Sequence, residues 1–455
     1  MNKMSPQPVD LLIKNGLIVT MNPYMEIHHP GALAIKGDSI VAVGPEKDLD
    51  SFASEAREIL DAQGGAVLPG LINSHTHAAM TLFRGLADDL PMNDWLNHHI
   101  FRAEQKINAQ WVYWGTLLAC AEMILSGTTT FCDMYLFEAE VAKAAKEAGM
   151  RALVGEVLYD FPSPNYGPIE KGFEYSLQLI QYFRQDPLIS VAIEPHTPFT
   201  CSPDLLRKAK ALSEEQGVPL IIHLSETMKE VELIKKQYQT SPAGLFERLG
   251  LLCSNLIAVH CVVLSEEDLD ALQKARVKVV HCPESNMKLA SGVAPVVEML
   301  KKGISVGLGT DGCASNNNLD LFQEMDTAAK LHKVNLLDPT VMDARTVLRL
   351  ATIEGAKVLQ MDQDIGSLEP GKKADCIVLD LKKPHLTPLY NIYSHLVYAA
   401  KGSDVTQVII NGKRVLKDRQ LMTLNLKTLF EQVHRFAEGL GAYPIHSEFR
   451  VESSK

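Results

Sequence analysis

Leu68-Pro69-Gly70-Leu71-Ile72-Asn73-Ser74-His75-Thr76-His77 is the stretch on which the reading of this chain turns. Apolar residues from Ala66 to Ile72 run into a His-x-His pair. In an extended strand, residues i and i+2 project to the same side. His75 and His77 can therefore offer two imidazoles to one point where a strand ends. Two histidines alone do not make a metal site, so the rest of the chain must bring further donors there.

Downstream of His75 strands alternate with helices. Apolar runs end at Asp133, Tyr159, His196, His223, His260, His281 and Asp311, and helical patterns such as Ala109–Ser126 and Glu138–Ala148 separate them. Ser202-Pro203 and Ser265-Glu-Glu-Asp268 read as helix starts, and Gly127, Gly149 and Gly217 as stops. The strands are nearly continuous apolar runs, as parallel strands covered on both faces should be. With the strand ending at His75 they make eight strand–helix units, the arithmetic of a (β/α)8 barrel.

Upstream, residues 9–67 read as β-rich. Val9–Thr20 predicts a hairpin about Asn15-Gly16, and Ala32–Val43 another about Gly37-Asp38. β character returns after Gly366, with Ala374–Asp380 and Val405–Leu416, the latter around Asn411-Gly412. Neither end suffices for a core of its own. The expected organisation is therefore a metal-dependent hydrolase barrel over 68–365, flanked by one small β-sandwich built from 1–67 and 366–455. Two separate terminal modules are the alternative.

Of 455 residues, 46% are hydrophobic and 22% charged, and the formal net charge is -11. A large core is affordable in such a chain. An acidic surface argues against nucleic acid and anionic membranes as partners. The N-terminal residues are polar, and no apolar run approaches the ~18 residues of a membrane span. The 8 cysteines are scattered without a Cys-x-x-Cys, which fits free buried thiols and a cytoplasmic location.

The chemistry of a barrel sits at the C-terminal ends of its strands. There this chain places His75, His77, His196, His223 (with Glu226 close behind), His260, His281 and Asp311. Taken singly, each has a bland explanation: a satisfied core histidine, or for Asp311 a turn former. Jointly, a barrel gathers them into one ring, and they read as a metal site. His281 stands equally as a contact residue and as a support from behind. His98 and His99 fall in a helix and read as structural or solvent-facing. Three nitrogen ligands and one carboxylate suit Zn²⁺, with Fe²⁺ and Mn²⁺ also compatible. Such an ion acidifies bound water; one neighbouring carboxylate can take the water proton and a second acid can protonate a substrate.

The segments Pro69–His77, His223-Leu-Ser-Glu226, Val259-His260-Cys261, His281-Cys-Pro-Glu-Ser-Asn286 and Gly309-Thr-Asp311-Gly-Cys-Ala-Ser315 resemble the amidohydrolase superfamily. Within it they are similar to the branch of 5′-methylthioadenosine/S-adenosylhomocysteine deaminases, over nearly the whole chain. The resemblance implies one divalent metal per subunit on His75, His77, His223 and Asp311. It implies that His260 positions the hydrolytic water, that Glu226 carries a proton to the purine ring, and that Asp311 doubles as base, the last two also touching substrate. Binuclear relatives carry a carboxylated Lys where His196 stands here, so a single metal and a substrate contact at His196 are expected. Trp95 matches a residue that packs on the substrate, with a core Trp on a helix as the alternative, and Glu104 one that takes the ribose hydroxyls. Relatives that bind the S-adenosylhomocysteine carboxylate have Arg where this chain aligns Glu156, and the loop of a second Arg reads Asn165-Tyr-Gly-Pro168. That departure favours methylthioadenosine or adenosine over S-adenosylhomocysteine.

The expected function is hydrolytic deamination of 6-aminopurine nucleosides, with a small nucleoside as partner and, by resemblance, a homo-oligomeric assembly. Other aminated or halogenated heterocycles (guanine, a triazine) are the nearest alternatives. A barrel-derived scaffold or a metal-storage protein is the non-enzyme alternative, and neither has reason to keep Glu226 and His260 beside the ligands.

Overall fold

A computed structural model describes residues 8–90 and 94–439. Parallel strands β6 (Leu71–Thr76), β7 (Thr128–Tyr135), β8 (Arg151–Leu158), β9 (Ile189–Val191), β10 (Glu194–Pro195), β11 (Leu220–Leu224), β12 (Leu256–His260), β13 (Lys278–His281) and β14 (Val306–Leu308) form the barrel wall; β1 to β5 precede them. The fourth barrel strand is thus broken into β9 and β10. β6, β7, β8, β11 and β12 are buried along their whole length, which accounts for the largely apolar runs of β8, β11 and β12.

The wall consists of a 5-stranded and a 4-stranded arc. At one seam Ile193 and Leu220 form a parallel bridge, and the His223 N–H reaches the His196 carbonyl at 3.1 Å. At the other seam Asn73 pairs twice with Thr310, its Nδ2 donating to Oγ1 at 2.8 Å and its Oδ1 accepting from the backbone N–H at 3.0 Å. The Asp311 N–H donates to the His75 carbonyl at 3.0 Å. Gly309 permits this approach: a Cβ there would stand 2.9 Å from the His75 nitrogen. Two strand ends that carry candidate ligands are thereby stitched together.

The flanking strands are β1 (Val9–Val19), β2 (Ile27–Lys36), β3 (Ser39–Pro45), β4 (Ala56–Asp61), β5 (Ala66–Pro69), β15 (Cys376–Leu379), β16 (Val405–Ile410), β17 (Lys413–Lys417) and β18 (Gln420–Leu421). They make one 9-stranded mixed sheet in the order β18-β17-β16-β15-β5-β1-β2-β3, with β4 beside β1. The antiparallel β5–β15 pair joins the two chain ends. The sheet folds back on itself: Ser39 bridges to Lys373, and the Ala374 N–H reaches the Asp38 carbonyl at 2.8 Å. This gives a sandwich-like layer from a single continuous sheet.

Two expectations are corrected. Asn15-Gly16 is not a hairpin turn. β1 runs straight through it with a register shift against β2, and Asn15 adopts a positive φ of 53°. The Asn15 N–H is captured by Glu46 and its side chain by Asp61, so the dipeptide makes a bulge. The Gly37-Asp38 and Asn411-Gly412 turns do close antiparallel pairs. After Gly366 the chain is also not purely β. Helix Ile392–Tyr398 lies between β15 and β16, and helix Leu426–Glu438 lays Leu429 against the barrel helix Ala109–Leu125. Among the described residues no helix is long and apolar enough to cross a membrane.

Candidate active site

At the C-terminal mouth of the barrel, the imidazoles of His75, His77 and His223 turn their nitrogens to one point, within 4.8 Å of one another; His75, His260 and Asp311 converge equally closely. His75 Nε2 lies 3.2 Å from His223 Nε2 and 3.6 Å from Asp311 Oδ1, and His77 Nε2 lies 3.2 Å from the same oxygen. All but His77 are at most 5% exposed.

The backs of two of these rings are held. His77 Nδ1 meets the Met134 carbonyl, and His223 Nδ1–H donates to the His196 carbonyl at 3.0 Å. Each is left with its Nε2 lone pair facing inward, the tautomer a metal requires. Asp311 Oδ2 accepts from Ser285 Oγ at 2.6 Å and Ser315 Oγ at 2.8 Å, and Oδ1 from the Gly312 N–H at 2.8 Å. Burial works against an ionised Asp311, but the imidazoles of His75 and His77 set against it outweigh burial and hold the carboxyl well below its usual range. Three bare imidazole nitrogens around an ionised carboxylate oxygen fit a four-coordinate zinc site.

His260 Nδ1–H donates to Asn286 Oδ1 at 3.1 Å, which turns Nε2 inward, 4.0 Å from Glu226 Oε2. Burial raises the Glu226 pKa above the ordinary carboxylate value, with the His260 charge opposing it. His196 lines the cavity with its ring 5.3 Å from that of His223, and its Nδ1 meets Thr200 Oγ1 at 3.1 Å. It stands beside the ligand cluster, not within it.

Above this floor opens a cavity of about 470 Å³. Glu104 is on its wall, with the Tyr135 hydroxyl facing its carboxylate. Burial pushes Glu104 up to about 7, and Tyr135 and the His77 charge pull the other way. The outer wall is apolar. Tyr159 stacks on Phe161 at 3.9 Å between ring centres, and Pro162, Pro164, Phe199 and Leu289 continue it. Among the described residues no lysine or arginine lines the cavity.

His75, His77, His196, His223, Glu226, His260, Asp311 and Glu104 are thus brought together. The Trp95 side chain lies outside the described residues. His98 and His99 are exposed, as expected. His281 does not line the cavity. It is buried behind it, its Nε2 3.1 Å from that of His332. Glu156 corrects the specificity argument. Val157 and Tyr159 line the cavity, so by the two-residue period Glu156 faces the other way. Its carboxylate accepts from the Glu138 N–H at 3.0 Å and from Asn165 Nδ2 at 2.9 Å. It cannot repel a substrate that it does not face. Ser285, Asn286, Ser315, Tyr135 and Glu230 were not foreseen. The first three sit inside the quoted segments and were open to being read as partners of Asp311 and His260.

A model of the amidohydrolase family matches residues 66–415. The chain belongs to the amidohydrolase family. It is an enzyme of the class that hydrolyses carbon–nitrogen bonds other than peptide bonds. It is 57% identical over 434 residues, 95% of this chain and 99% of the other, to a 5-methylthioadenosine/S-adenosylhomocysteine deaminase of Syntrophobacter fumaroxidans. It is 43% identical over 435 residues, again 95% and 99% of the two chains, to a 5'-deoxyadenosine deaminase of Methanosarcina mazei. Among solved structures, an adenosine deaminase from Xanthomonas campestris with bound zinc superposes with a TM-score of 0.93, at 39% identity, covering 96% of this chain and 99% of that one.

Proposed function

We propose that this amidohydrolase is a mononuclear metal-dependent deaminase of 6-aminopurine nucleosides, with zinc as its metal and an apolar 5′ substituent preferred on the ribose. The observation that carries the reading is the pairing of Glu226 with His260 beside four convergent metal donors, at the floor of a cavity that has a lone carboxylate, Glu104, on its wall. The names of the relatives support the same chemistry.

His75, His77, His223 and Asp311 would hold the ion, which supplies a Lewis acid that makes water nucleophilic near neutral pH. Glu226, whose pKa burial raises, carries a proton to the purine N1 as water adds at C6. His260, held by Asn286, turns Nε2 to the oxygen that develops negative charge at C6. Asp311, free of conformational choice between Ser285 and Ser315, accepts a water proton. Asp311 passes that proton to the amino group, which leaves as ammonia, while the C6 hydroxyl proton returns to Glu226 and the ring becomes 6-oxo. Glu104 accepts hydrogen bonds from the vicinal ribose hydroxyls, and two carboxylate oxygens suit a diol.

The apolar wall from Tyr159 to Leu289 replaces Glu156 as the ground for ranking substrates. A zwitterionic amino-acid tail would find no cation among the described lining residues, whereas methylthio or methyl groups bury well there. The test is a deamination assay on zinc-loaded protein with methylthioadenosine, 5′-deoxyadenosine, adenosine and S-adenosylhomocysteine, with guanine as outsider and Glu226→Gln as control. Turnover of the first two with the highest kcat/KM, lost in the variant, is expected. A top rank for S-adenosylhomocysteine sinks the 5′ argument. No nucleoside turnover at full metal loading sinks the substrate class and points to other aminated or halogenated heterocycles.

A further inference from the structure

We infer that Glu230 is a positioning residue that clamps the loop carrying Glu226 to the loop carrying His260, through the peptide of Ser225. The inference rests on the deaminase reading for the roles of Glu226 and His260; the clamp itself stands on geometry.

Glu230 lies in the first turn of helix Met228–Tyr238. The helix is already capped: Thr227 Oγ1 accepts the Glu230 N–H at 3.2 Å. In a capping box the glutamate at this position would return to the N-cap N–H. Here it reaches further back. Its Oε1 accepts the Ser225 N–H at 2.9 Å and its Oε2 the Glu226 N–H at 2.8 Å. Glu230 is buried, 5% exposed, so water is a poor substitute for it. Both oxygens serve the segment just before the helix and not the helix itself.

That segment is held in an uncommon shape. Ser225 has a φ of 54°, a left-handed conformation that a non-glycine residue keeps only when neighbours impose it. On its other side the Ser225 carbonyl accepts the N–H groups of Val262 at 3.0 Å and Val263 at 2.9 Å, and the Leu224 carbonyl accepts that of Cys261 at 3.0 Å. These three residues directly follow His260, and His260 and Cys261 also have positive φ, 72° and 49°. Ser225 is thus a junction. Glu230 holds its nitrogen side, the His260 loop holds its carbonyl side, and Glu226 follows in sequence. The junction fixes the backbones from which Glu226 and His260 project, and with Asn286 behind the His260 ring the two side chains come to 4.0 Å.

The experiment compares wild type, Glu230→Gln and Glu230→Leu as zinc-loaded enzymes with methylthioadenosine. Gln keeps the shape but has one acceptor for two N–H groups; Leu has none. Each lost bond should lower kcat about tenfold, so kcat falls in the order wild type, Gln, Leu. KM should stay within about twofold and the zinc content unchanged, because no ligand or cavity wall is altered. Amide hydrogen exchange should quicken over 224–227 and, as the signature of the clamp, over 260–264 also. The isosteric Gln variant keeps the test open if Leu does not fold. The inference is overturned if kcat is unchanged, if exchange quickens only on the Glu226 side, or if kcat falls only in proportion to the zinc content, as in a general folding defect. Should wild type deaminate no nucleoside, the deaminase reading fails on its own, and the exchange over 260–264 alone decides the clamp.

Discussion

At the scale of single residues, the site depends on groups that no metal or substrate touches. Ser285 and Ser315 both donate to Asp311 Oδ2 and so orient Oδ1 toward the imidazoles. Outer partners of this kind typically carry about 10–100-fold in metal affinity. Ser285→Ala and Ser315→Ala should each weaken zinc binding by about tenfold, measured by competition with a chromophoric chelator. Affinities equal to wild type in both would show that Asp311 is held by other means. Glu104 makes a pH prediction. Burial raises it to about 7, with Tyr135 opposing, so below that pH it is protonated and loses an acceptor for the ribose diol. Burial and the Glu104 charge push Tyr135 far up, so its hydroxyl keeps its proton throughout. kcat/KM for ribosides should therefore fall as pH drops through about 7, mainly through KM. Glu104→Gln should be poorer at all pH and lack that limb; an unchanged limb in the variant would assign it elsewhere.

At the scale of elements, the strand ends were the legible part of the chain. A histidine two residues after another at the end of an apolar run carries its geometry with it, and so do His196, His223 and His260 at the ends of later runs. Side-chain parity was not legible without the strand's register: Glu156 was assigned to the cavity, and the structure turns Val157 and Tyr159 there. The same dipeptide also went two ways. Asn411-Gly412 turns a hairpin, whereas Asn15-Gly16 bulges a strand because Glu46 and Asp61, distant in sequence, satisfy Asn15. Helix Leu426–Glu438 was missed because what it covers, the Leu117 face of the barrel helix, is visible only in three dimensions. Gly309 shows how closely element packing governs the metal donors. A methyl group there would meet the His75 backbone nitrogen and Val280 Cγ1, both at 2.9 Å. Gly309→Ala should force the ends of β6 and β14 apart, costing about 1–3 kcal/mol of stability. It should also lower zinc stoichiometry after dialysis, read by metal analysis. Full zinc occupancy with unaltered stability would mean that the seam has slack.

At the scale of the whole molecule, the question is whether barrel and sheet behave as one unit. The main core cluster runs from barrel residues such as Phe131 and Val259 through Ile377, Leu379, Val405 and Val408 of the flanking sheet without a break. The polar tie is Asp375, just before β15. Arg151, at the start of β8, meets it through two bonds, Nε to Oδ2 at 2.8 Å and Nη2 to Oδ1 at 3.2 Å. Asp375 also takes the Asn411 N–H at 2.6 Å, and its carbonyl takes that of Gly70 at 3.0 Å. One residue, through its carboxylate and its carbonyl, thus joins the barrel wall, the β16–β17 turn and the link from β5 into the metal-bearing β6. Both partners are nearly sealed from water, at 9% and 3% side-chain exposure. Removing one leaves a buried charge uncompensated, which costs about 3–5 kcal/mol, whereas removing both costs far less than the sum. Asp375→Asn should lower stability by about that amount in urea, and Arg151→Met with Asp375→Asn should recover most of it. Because one face of the flanking sheet packs into the barrel core while its other residues form smaller clusters of their own, each variant should still unfold in one transition, followed in parallel by far-UV circular dichroism and by loss of zinc. Two separated transitions in wild type would instead make the sheet an independent unit, and the Arg151–Asp375 pair a contact between two bodies and not part of one.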